Sequence, residues 1–365
     1  MSVTEPAATP GKAKDEPLLR VEELEVSFAT EDGLVQAVDG VSFELKPGEV
    51  LAIVGESGSG KSVTAMTLMG LTRSPNARFG GGAHYQGTEL IGASEEELRR
   101  VRGAEIAMVF QDPMTSLNPV HRIGDQIMEQ IQEHEALPDQ QARERTIELL
   151  ERVGIPRARD RIDNYPFEFS GGMRQRVMIA LALSCDPSIL IADEPTTALD
   201  VTIQAQILHR IRELREETGA AVILVTHDLG VVADIADRIA VMYAGRIIEE
   251  GSLDQIFYDP QHPYTWGLLG SITRVDRARP ERLPAIKGLP PSLANRPQGC
   301  HFRPRCPHEF SKCIEVPPLE ARVKDQPDHR DRCWLSVDEK RERREVRPGE
   351  IGLPTKDEPE EAPAA

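Results

Sequence analysis

Apolar and polar side chains alternate along the chain from Leu18 to Leu45. A period of two is typical of β-strands that bury one face, and turn residues separate the two halves of this segment. We therefore expect an antiparallel layer of strands. Its apolar positions are Leu19, Val21, Leu24, Val26 and Phe28, followed by Val35, Val38, Val41, Phe43 and Leu45.

A different pattern begins at Val50, where short, unbroken apolar runs alternate with segments of helical periodicity. Apolar strands separated by helices are typical of a parallel sheet covered on both faces. The sequence therefore predicts an α/β fold. The predicted strands are Val50–Val54, Ile106–Phe110, Ile189–Asp193 and Ala221–Thr226, and the predicted helices begin near Lys61 and cover Ile123–Val153 and Thr202–Glu217.

Composition divides the chain into parts. Residues 1–17 mix Pro, Ala, Thr and charges without the apolar core of a signal peptide, and residues 337–365 are charged and rich in Pro. We expect both tails to be disordered. The strands and helices cover residues 18–257. Beyond them Pro, Arg and Cys become frequent, which predicts a small appended domain at 258–336.

The charge balance argues against a nucleic-acid partner. The 365 residues include 43 Lys or Arg and 60 Asp or Glu, a formal net charge of −17 at pH 7, and no long basic stripe. Binding to nucleic acid through charge needs such a stripe. The longest apolar run, Val177–Leu183, is far shorter than the ~20 residues that a helix needs to cross a bilayer. We therefore expect a cytoplasmic protein whose cysteines stay reduced.

The segment between the first parallel strand and its helix, Gly55–Ser62, fits the phosphate-binding P-loop pattern at every fixed position. Its glycines let successive backbone N–H groups converge on phosphate oxygens, and the helix N-terminus adds a positive dipole. Lys61 would reach the terminal phosphates, and the Ser62 hydroxyl would bind Mg²⁺. The alternative is a turn that binds nothing, which the flanking strand and helix disfavour.

Two acids, Asp193 and Glu194, end another buried strand. The tip of a strand beside the P-loop strand is where Mg²⁺ needs a partner, and we assign that role to Asp193. Glu194 would act as the general base for the water that attacks the γ-phosphate. Acids at strand ends are usually only solvated, so the assignment depends on the P-loop.

Further motifs follow in an order that resembles the ATP-binding subunits of ABC transporters. Gln111 matches the Q-loop glutamine, which approaches Mg²⁺ and the membrane subunit, and His227 matches the switch histidine. Ala198–Asp200 is similar to the D-loop. Phe169–Gln175 matches the signature motif, although Phe and Met replace the commoner Leu and Gln around the Ser-Gly-Gly core.

This resemblance covers residues 18–257 and implies a P-loop NTPase with a RecA-like core, an antiparallel β layer and a helical subdomain at about 112–184. Phe28 would stack on adenine, although it could equally be plain core. His227 would contact the γ-phosphate and orient Glu194, the alternative being an ordinary surface histidine.

The resemblance also implies the members of an ATP and Mg²⁺ site. Lys61, Glu194 and His227 are expected to act in hydrolysis, and Ser62, Gln111 and Asp193 to hold Mg²⁺. The residues expected to contact ATP are Phe28, Gly55, Ser57, Gly58, Ser59, Gly60, Lys61, Ser62, Val63, Gln111, Ser170, Gly171, Gly172 and Asp200.

The signature motif also makes physical sense by itself. Ser170 is a good N-cap for the helix that follows, and Gly171 and Gly172 leave backbone N–H groups exposed at its positive end. Such an end favours an anion. We expect that anion to be the γ-phosphate on a second subunit, which gives a head-to-tail dimer with two ATP between the subunits. An ordinary capped helix is the alternative.

Within the family, Tyr165–Ser170 and Asp193–Thr202 are similar to the D-type ATPase of oligopeptide and dipeptide importers, and Gln261–Thr265 opens the C-terminal extension of that group. The resemblance implies an ATP-hydrolysing motor that drives alternating access of two membrane permease subunits, fed by an extracytoplasmic substrate-binding protein. It would lie peripherally on the cytoplasmic face of the membrane. A heterodimer with a second ABC ATPase is favoured over a homodimer. Import of nickel or another small solute is the alternative.

A soluble ABC ATPase of DNA repair or translation is a competing class. Repair ATPases place a long coiled coil between P-loop and signature, whereas 107 residues separate Ser62 from Ser170. Translation factors carry two cassettes, and this chain has one. A third hypothesis makes the cysteine-rich domain an iron or redox sensor that regulates the ATPase.

Four of the five cysteines crowd into the appended domain, spaced C-x5-C-x6-C-x19-C. The spacing lacks the close pairs usual for zinc, yet a segment with so little apolar content suggests a metal staple. Four unliganded thiols are the alternative. Resemblance to importer ATPases with a 4Fe-4S cluster here favours iron–sulfur over zinc, and Cys185 is expected to be buried core. The expected cluster ligands are Cys300, Cys306, Cys313 and Cys333, with His301, His308 and His329 as substitutes in a zinc site.

Overall fold

The computed structural model describes residues 16–31, 33–112, 116–195, 201–271 and 286–344. Within these residues two sheets carry the fold, and the smaller has the order β2–β1–β4–β5, antiparallel throughout. The predicted antiparallel layer is confirmed, but β4 was missed because its three consecutive glycines hide the alternation. The strands of this layer are β1 (Leu19–Thr30), β2 (Gly33–Leu45), β4 (Ala77–Tyr85) and β5 (Thr88–Glu89).

The larger sheet has the order β11–β12–β10–β9–β3–β8–β7–β6. The strands of this sheet are β3 (Val50–Val54), β6 (Ile106–Val109), β7 (Ile189–Asp193), β8 (Ala221–Thr226), β9 (Arg238–Tyr243), β10 (Arg246–Ser252), β11 (Glu320–Ala321) and β12 (Arg330–Asp331). The four predicted strands, β3, β8, β7 and β6, are parallel to one another as expected, and β9, which was not predicted, runs parallel to β3.

The sheet continues beyond the predicted parallel strands, and one edge of it is antiparallel. Ala244 and Gly245 form a two-residue turn with φ angles of 45° and 85°, and this turn joins β9 to β10 as a hairpin. Positive φ at both central residues matches the twist of antiparallel strands. Strands β10, β12 and β11 therefore continue the sheet in antiparallel fashion.

The central strand β3 is buried along its whole length because both faces of the large sheet are covered. Val50, Ala52 and Val54 join the core beneath the helices of residues 123–182. Leu51 and Ile53 point the other way and join the core beneath the antiparallel layer. This double burial explains the unbroken apolar run in the sequence.

The helical segment predicted at Ile123–Val153 is in fact two helices, separated at Pro138, which is the N-cap of the second. Helices α3 to α6 fall in the segment predicted as a helical subdomain. The helices are α1 (Lys61–Leu68), α2 (Glu95–Val101), α3 (Ile123–His134), α4 (Asp139–Arg152), α5 (Ala158–Arg161), α6 (Gly171–Ala182), α7 (Val201–Thr218), α8 (Leu229–Ile235), α9 (Leu253–Tyr258), α10 (Pro263–Gly270) and α11 (Val337–Arg343).

The C-terminal extension is not a detached domain. Its strand β12 pairs with β10, which belongs to residues 18–257 (the cassette), at Glu249↔Asp331 and Glu250↔Arg330. Helix α11 corrects the expectation of a disordered tail from residue 337, because residues 337–343 are helical. Residues 1–15 and 345–365 lie outside the described residues. Among the helices that the structure describes, none is long and apolar enough to cross a membrane.

Candidate active site

The P-loop connects the end of β3 to the start of α1, and two of its glycines are required by close backbone approaches. A Cβ on Gly55 would lie 2.1 Å from the carbonyl oxygen of Met242. A Cβ on Gly60 would lie 2.4 Å from that of Ala37, and Gly60 also has a φ of 103° that favours glycine. The loop is therefore held tightly against β9 and β2.

Lys61, the first residue of α1, turns its ammonium back into this loop. Its Nζ donates to the carbonyl oxygens of Gly55 at 2.8 Å and Glu56 at 3.1 Å. Burial lowers the pKa of Lys61, while the charges of Glu194, Asp193 and Glu56 oppose that shift. A buried cation among carboxylates and backbone N–H groups is suited to an anionic ligand.

Ser62 and Asp193 meet as the predicted Mg²⁺ site requires. The Ser62 hydroxyl donates to Asp193 Oδ1 at 2.9 Å. Asp193 ends β7 and is buried, and this burial raises the pKa of its carboxyl group, with the Glu194 charge adding to the shift. Two hard oxygen donors from neighbouring elements therefore face one point, which suits Mg²⁺.

Glu194 brings the other predicted residues together. Gln111 Nε2 donates to its Oε2 at 2.9 Å, and His227 Nδ1 lies 3.1 Å from its Oε1. Its backbone has a φ of 46°, the left-handed region that non-glycine residues rarely adopt. The side chain is thus aimed by its own backbone and by two neighbours, as a base that must meet one water molecule requires.

These residues line one cleft, and the C-terminal extension forms part of its wall. The extension residues that line it are Leu268, Ser271 and Ile286, a contribution that sequence reasoning missed because no motif or periodicity signals it. The P-loop and sheet residues that line it are Gly55, Glu56, Ser57, Gly58, Ser59, Gly60, Lys61, Ser62, Val63, Gln111, Glu194 and His227.

Other residues predicted to contact ATP are not among the described residues that line this cleft, and they include Gly171 and Gly172. Phe28 lies on β1 opposite Val35 and is half-buried against the core of the antiparallel layer, so its adenine role stays a prediction. Ser170 caps α6 by accepting a hydrogen bond from Met173 N at 3.4 Å, as expected, but is not among the described residues that line the cleft. Asp200 lies outside the described residues.

The four cysteines of the extension, Cys300, Cys306, Cys313 and Cys333, line one shared cavity. Burial raises the pKa of Cys306 to about 11 and that of Cys333 to about 12. Nevertheless, no group of three or more His, Cys, Asp or Glu side chains among the described residues is arranged to hold a metal ion. Cys185 is half-buried rather than buried, with its Sγ 3.6 Å from the Gln130 carbonyl oxygen.

A P-loop between a parallel strand and a helix, with two acids at the tip of a nearby strand, defines a P-loop NTPase. Among the solved structures that the chain resembles are two of the ATP-binding cassette class. One is the dimeric structure of MJ0796, a bacterial ABC transporter cassette, with a TM-score of 0.58 and 28% identity over 64% of this chain and 98% of that one. Another is cbiO1 from Clostridium perfringens, with a TM-score of 0.56 and 30% identity over 67% and 91%.

Sequence comparison identifies a family within this class of P-loop NTPases. The family model for ABC transporters matches residues 38–197, and that for the oligopeptide/dipeptide transporter C-terminal region matches residues 248–313. The oligopeptide transport ATP-binding protein OppD of Salmonella typhimurium is 52% identical over 321 residues, 88% of this chain and 95% of the relative. The dipeptide transport ATP-binding protein DppD of Bacillus subtilis gives the same identity and coverage. The chain belongs to the oligopeptide/dipeptide branch of the ABC transporter ATP-binding proteins.

Proposed function

We propose that the protein is the ATP-hydrolysing motor subunit of an ABC importer for dipeptides or oligopeptides. The observation that carries the proposal is the Glu194 carboxylate, held between Gln111 and His227 beside Lys61 in one cleft. The peptide substrate is inferred from relatives named as oligopeptide and dipeptide transport ATP-binding proteins, which this chain matches over most of their length.

Each residue has a distinct task in hydrolysis. Lys61 and the backbone N–H groups of the P-loop bind the β- and γ-phosphates. Ser62, Asp193 and Gln111 would hold Mg²⁺, which neutralises charge on the phosphate oxygens when it is bound. Glu194 accepts the proton of the attacking water, and His227 contacts the γ-phosphate and keeps Glu194 oriented.

The cleft is completed by another subunit. The tip of α6, Ser170–Gly172, forms the positive end of this helix, with Ser170 and Gly171 exposed, and is not among the described residues that line the cleft of its own chain. We infer that it covers the γ-phosphate of a neighbouring cassette in a head-to-tail dimer, with a heterodimer favoured and a homodimer as the alternative.

The remaining partners follow from the importer hypothesis. Two membrane permease subunits would contact the cassette through Gln111 and the helical region that follows it, at the cytoplasmic face of the membrane. An extracytoplasmic binding protein would deliver substrate to the permease. Import of nickel or another small solute, or a soluble ABC ATPase without a permease, are the alternatives. Stimulation of ATP hydrolysis in the reconstituted transporter by a peptide-loaded binding protein, but not by one loaded with nickel, distinguishes them.

We also propose that the cysteine cavity holds a 4Fe-4S cluster, with zinc as the alternative. The support is that four thiol-bearing side chains, Cys300, Cys306, Cys313 and Cys333, share its walls. Among the described residues these thiols are not arranged around a metal ion, so the proposal rests on their shared cavity and on the resemblance to importer ATPases that carry such a cluster. Anaerobic purification with iron and sulfide analysis tests this: four iron and four sulfide per chain support it, and equimolar zinc without sulfide contradicts it.

The hydrolytic assignment is tested with Glu194→Gln. Gln keeps the shape of the side chain but cannot accept the proton, so we expect ATP binding to persist and turnover to fall by roughly 10²- to 10⁴-fold. Glu213→Gln, on the surface of α7, is the matched control and should hydrolyse ATP normally. Unchanged turnover in Glu194→Gln would refute the assigned base.

A further inference from the structure

The second residue of the P-loop, Glu56, is held through its backbone and its side chain by residues far away in the sequence. Its N–H donates to Tyr264 Oη at 2.9 Å. Its carboxylate accepts hydrogen bonds from both terminal nitrogens of Arg305, at 2.6 Å and 3.0 Å. Its carbonyl oxygen accepts a hydrogen bond from Lys61 Nζ, the group expected to reach the phosphates. Both distant partners belong to the C-terminal extension.

Arg305 is built into this place more firmly than a surface ion pair would be. Its side chain is only 5% exposed. Besides Glu56, its nitrogens donate to the carbonyl oxygens of Lys287 at 3.1 Å and Ile286 at 3.3 Å, and one also reaches the Tyr243 hydroxyl at 3.4 Å. All three guanidinium nitrogens are therefore engaged, and the planar group has one orientation.

Tyr264 is fixed equally well. It is fully buried, and its ring packs against those of Tyr243 at 4.6 Å and Phe302 at 5.4 Å between centroids. Phe302 and Arg305 lie in the short segment between the first two cysteines of the extension, and the segment also contacts the cassette through His301 Nδ1, 3.1 Å from the Ala244 carbonyl oxygen. This segment acts as a rigid support beneath the P-loop.

The charges have a direct consequence for a phosphate ligand. The Glu56 carboxylate is an anion in the wall of a cleft suited to a polyanion, and an unpaired anion there would repel phosphate. The Arg305 guanidinium cancels that charge, and the Tyr264 hydroxyl fixes the backbone from the other side. Small shifts of a P-loop matter, because misplacing a binding group by ~1 Å can cost about 10²-fold.

We propose that Arg305 and Tyr264 are positioning residues of the nucleotide site, which act through Glu56 to make the affinity for ATP depend on the docked C-terminal extension. The inference rests on the proposed function, since it takes ATP as the ligand of the P-loop. Neither residue touches the reacting atoms.

The kinetic signature follows from how the two residues act. A P-loop held in place binds phosphates about equally in the ground state and the transition state, so its loss raises KM and leaves kcat nearly unchanged. A role confined to folding would instead reduce the active fraction, which lowers the apparent kcat and leaves KM alone. The split between KM and kcat therefore distinguishes positioning from stability.

The test uses Arg305→Ala in the full chain, assayed for Mg-ATP binding and, in the assembled transporter, for ATP hydrolysis. We expect Kd and KM for ATP to rise by roughly tenfold to thirtyfold with kcat within about twofold of wild type. Arg305→Lys should recover part of the loss. In Arg305→Ala with Glu56→Gln, the unpaired carboxylate is gone, so affinity should return to within a few-fold of wild type.

Arg296→Ala is the matched control. Arg296 also comes from the extension and pairs with a cassette carboxylate, Asp39, but that pair does not touch the P-loop. Its loss should leave KM for ATP unchanged. Tyr264→Phe removes only the hydroxyl and should raise KM by about threefold, which provides a second measurement if Arg305→Ala folds poorly.

Two results would overturn the inference. One is an unchanged KM in Arg305→Ala and Tyr264→Phe while the wild type binds ATP. The other is an equal rise in KM in Arg296→Ala, which would mean that any loosening of the extension suffices. Failure of the wild-type chain itself to bind ATP would instead refute the proposed function.

Discussion

At the scale of single residues, the feature that motif matching does not reveal is the backbone of Glu194. Its φ of 46° is costly for a residue with a side chain, by about 1–2 kcal/mol. The strain persists because Gln111 and His227 hold the carboxylate on one side and Glu194 N donates to the Val225 carbonyl at 2.8 Å on the other. Strain of this kind is concentrated at functional sites.

Replacing Glu194 by glycine or by alanine separates the strain from the side chain. Both variants lose the carboxylate and should not hydrolyse ATP, but only glycine accepts this φ freely. Glycine also loses about 0.5–1 kcal/mol through unfolded-chain entropy, so we expect Glu194→Gly to be more stable than Glu194→Ala by about 0.5–1 kcal/mol. Urea denaturation of the two variants measures the difference. If Glu194→Gly is instead less stable than Glu194→Ala by about 0.5–1 kcal/mol, which is the entropy cost of glycine alone, the left-handed backbone stores no strain.

Much of the site could be predicted at this scale. Lys61, Ser62 and Asp193 were found because the P-loop and the acidic strand tip are local patterns, and the hydrogen bond from Ser62 to Asp193 is the contact that the patterns imply. The contact between Glu56 and Arg305 was not predicted, because the two residues are 249 positions apart and neither periodicity nor a motif carries information over such a distance.

At the scale of elements, helix α11 shows why composition wrongly predicted disorder from residue 337. Residues 338–343 are all charged, yet Ser336 begins the helix with a capping box completed by Glu339. Lys340 then buries its ammonium against Asp331 Oδ1 at 2.7 Å, and both side chains are about 1% exposed or less. A buried ion pair, rather than apolar area, holds the helix to β12.

Lys340→Met tests this account. Without the ammonium, the buried Asp331 carboxylate keeps as its charged partner the more distant Arg322 Nη1, 3.5 Å from its Oδ1, and breaking a buried pair typically costs about 3–5 kcal/mol. The two tryptophans, Trp266 and Trp334, both lie in the extension, so their fluorescence during urea denaturation reports on this part of the chain. We expect its unfolding midpoint to fall clearly. Lys324→Met, at an exposed position of the same extension, should unfold like the wild type.

An unchanged midpoint in Lys340→Met would mean that the ion pair contributes nothing to docking of the helix. Adding Asp331→Asn to Lys340→Met should recover part of the stability, because the buried charge is then removed. Failure of that rescue would point to lost packing of the lysine stem rather than to electrostatics.

At the scale of the whole molecule, the fold supplies all of the predicted P-loop residues to one cleft but keeps the signature tip away from it. The general plan was predictable, because an antiparallel layer, alternating strands and helices and a cysteine-rich extension each leave a pattern in the sequence. The antiparallel edge of the large sheet and the contact of the extension with the cleft were not predictable, since both depend on tertiary packing. In the described residues the cleft is therefore lined by the P-loop and Glu194, but not by the signature tip.

Gly171 offers the sharpest test that a second subunit supplies that tip. Apart from its chain neighbours and its own helix backbone, no atom of the described residues lies within 4 Å of a Cβ built on Gly171, and the φ of Gly171 is not in the left-handed region. Nothing in the part of the chain that the structure describes therefore requires glycine there. If the tip covers a neighbour's γ-phosphate, a methyl group would push it away, so Gly171→Ala should lower ATP hydrolysis in the assembled transporter by at least about tenfold. Its thermal unfolding should match that of the wild type, and its Mg-ATP affinity as an isolated chain should be unchanged. Full hydrolysis by Gly171→Ala would contradict the head-to-tail arrangement, whereas a loss of ATP affinity in the isolated chain would show that the tip serves its own P-loop.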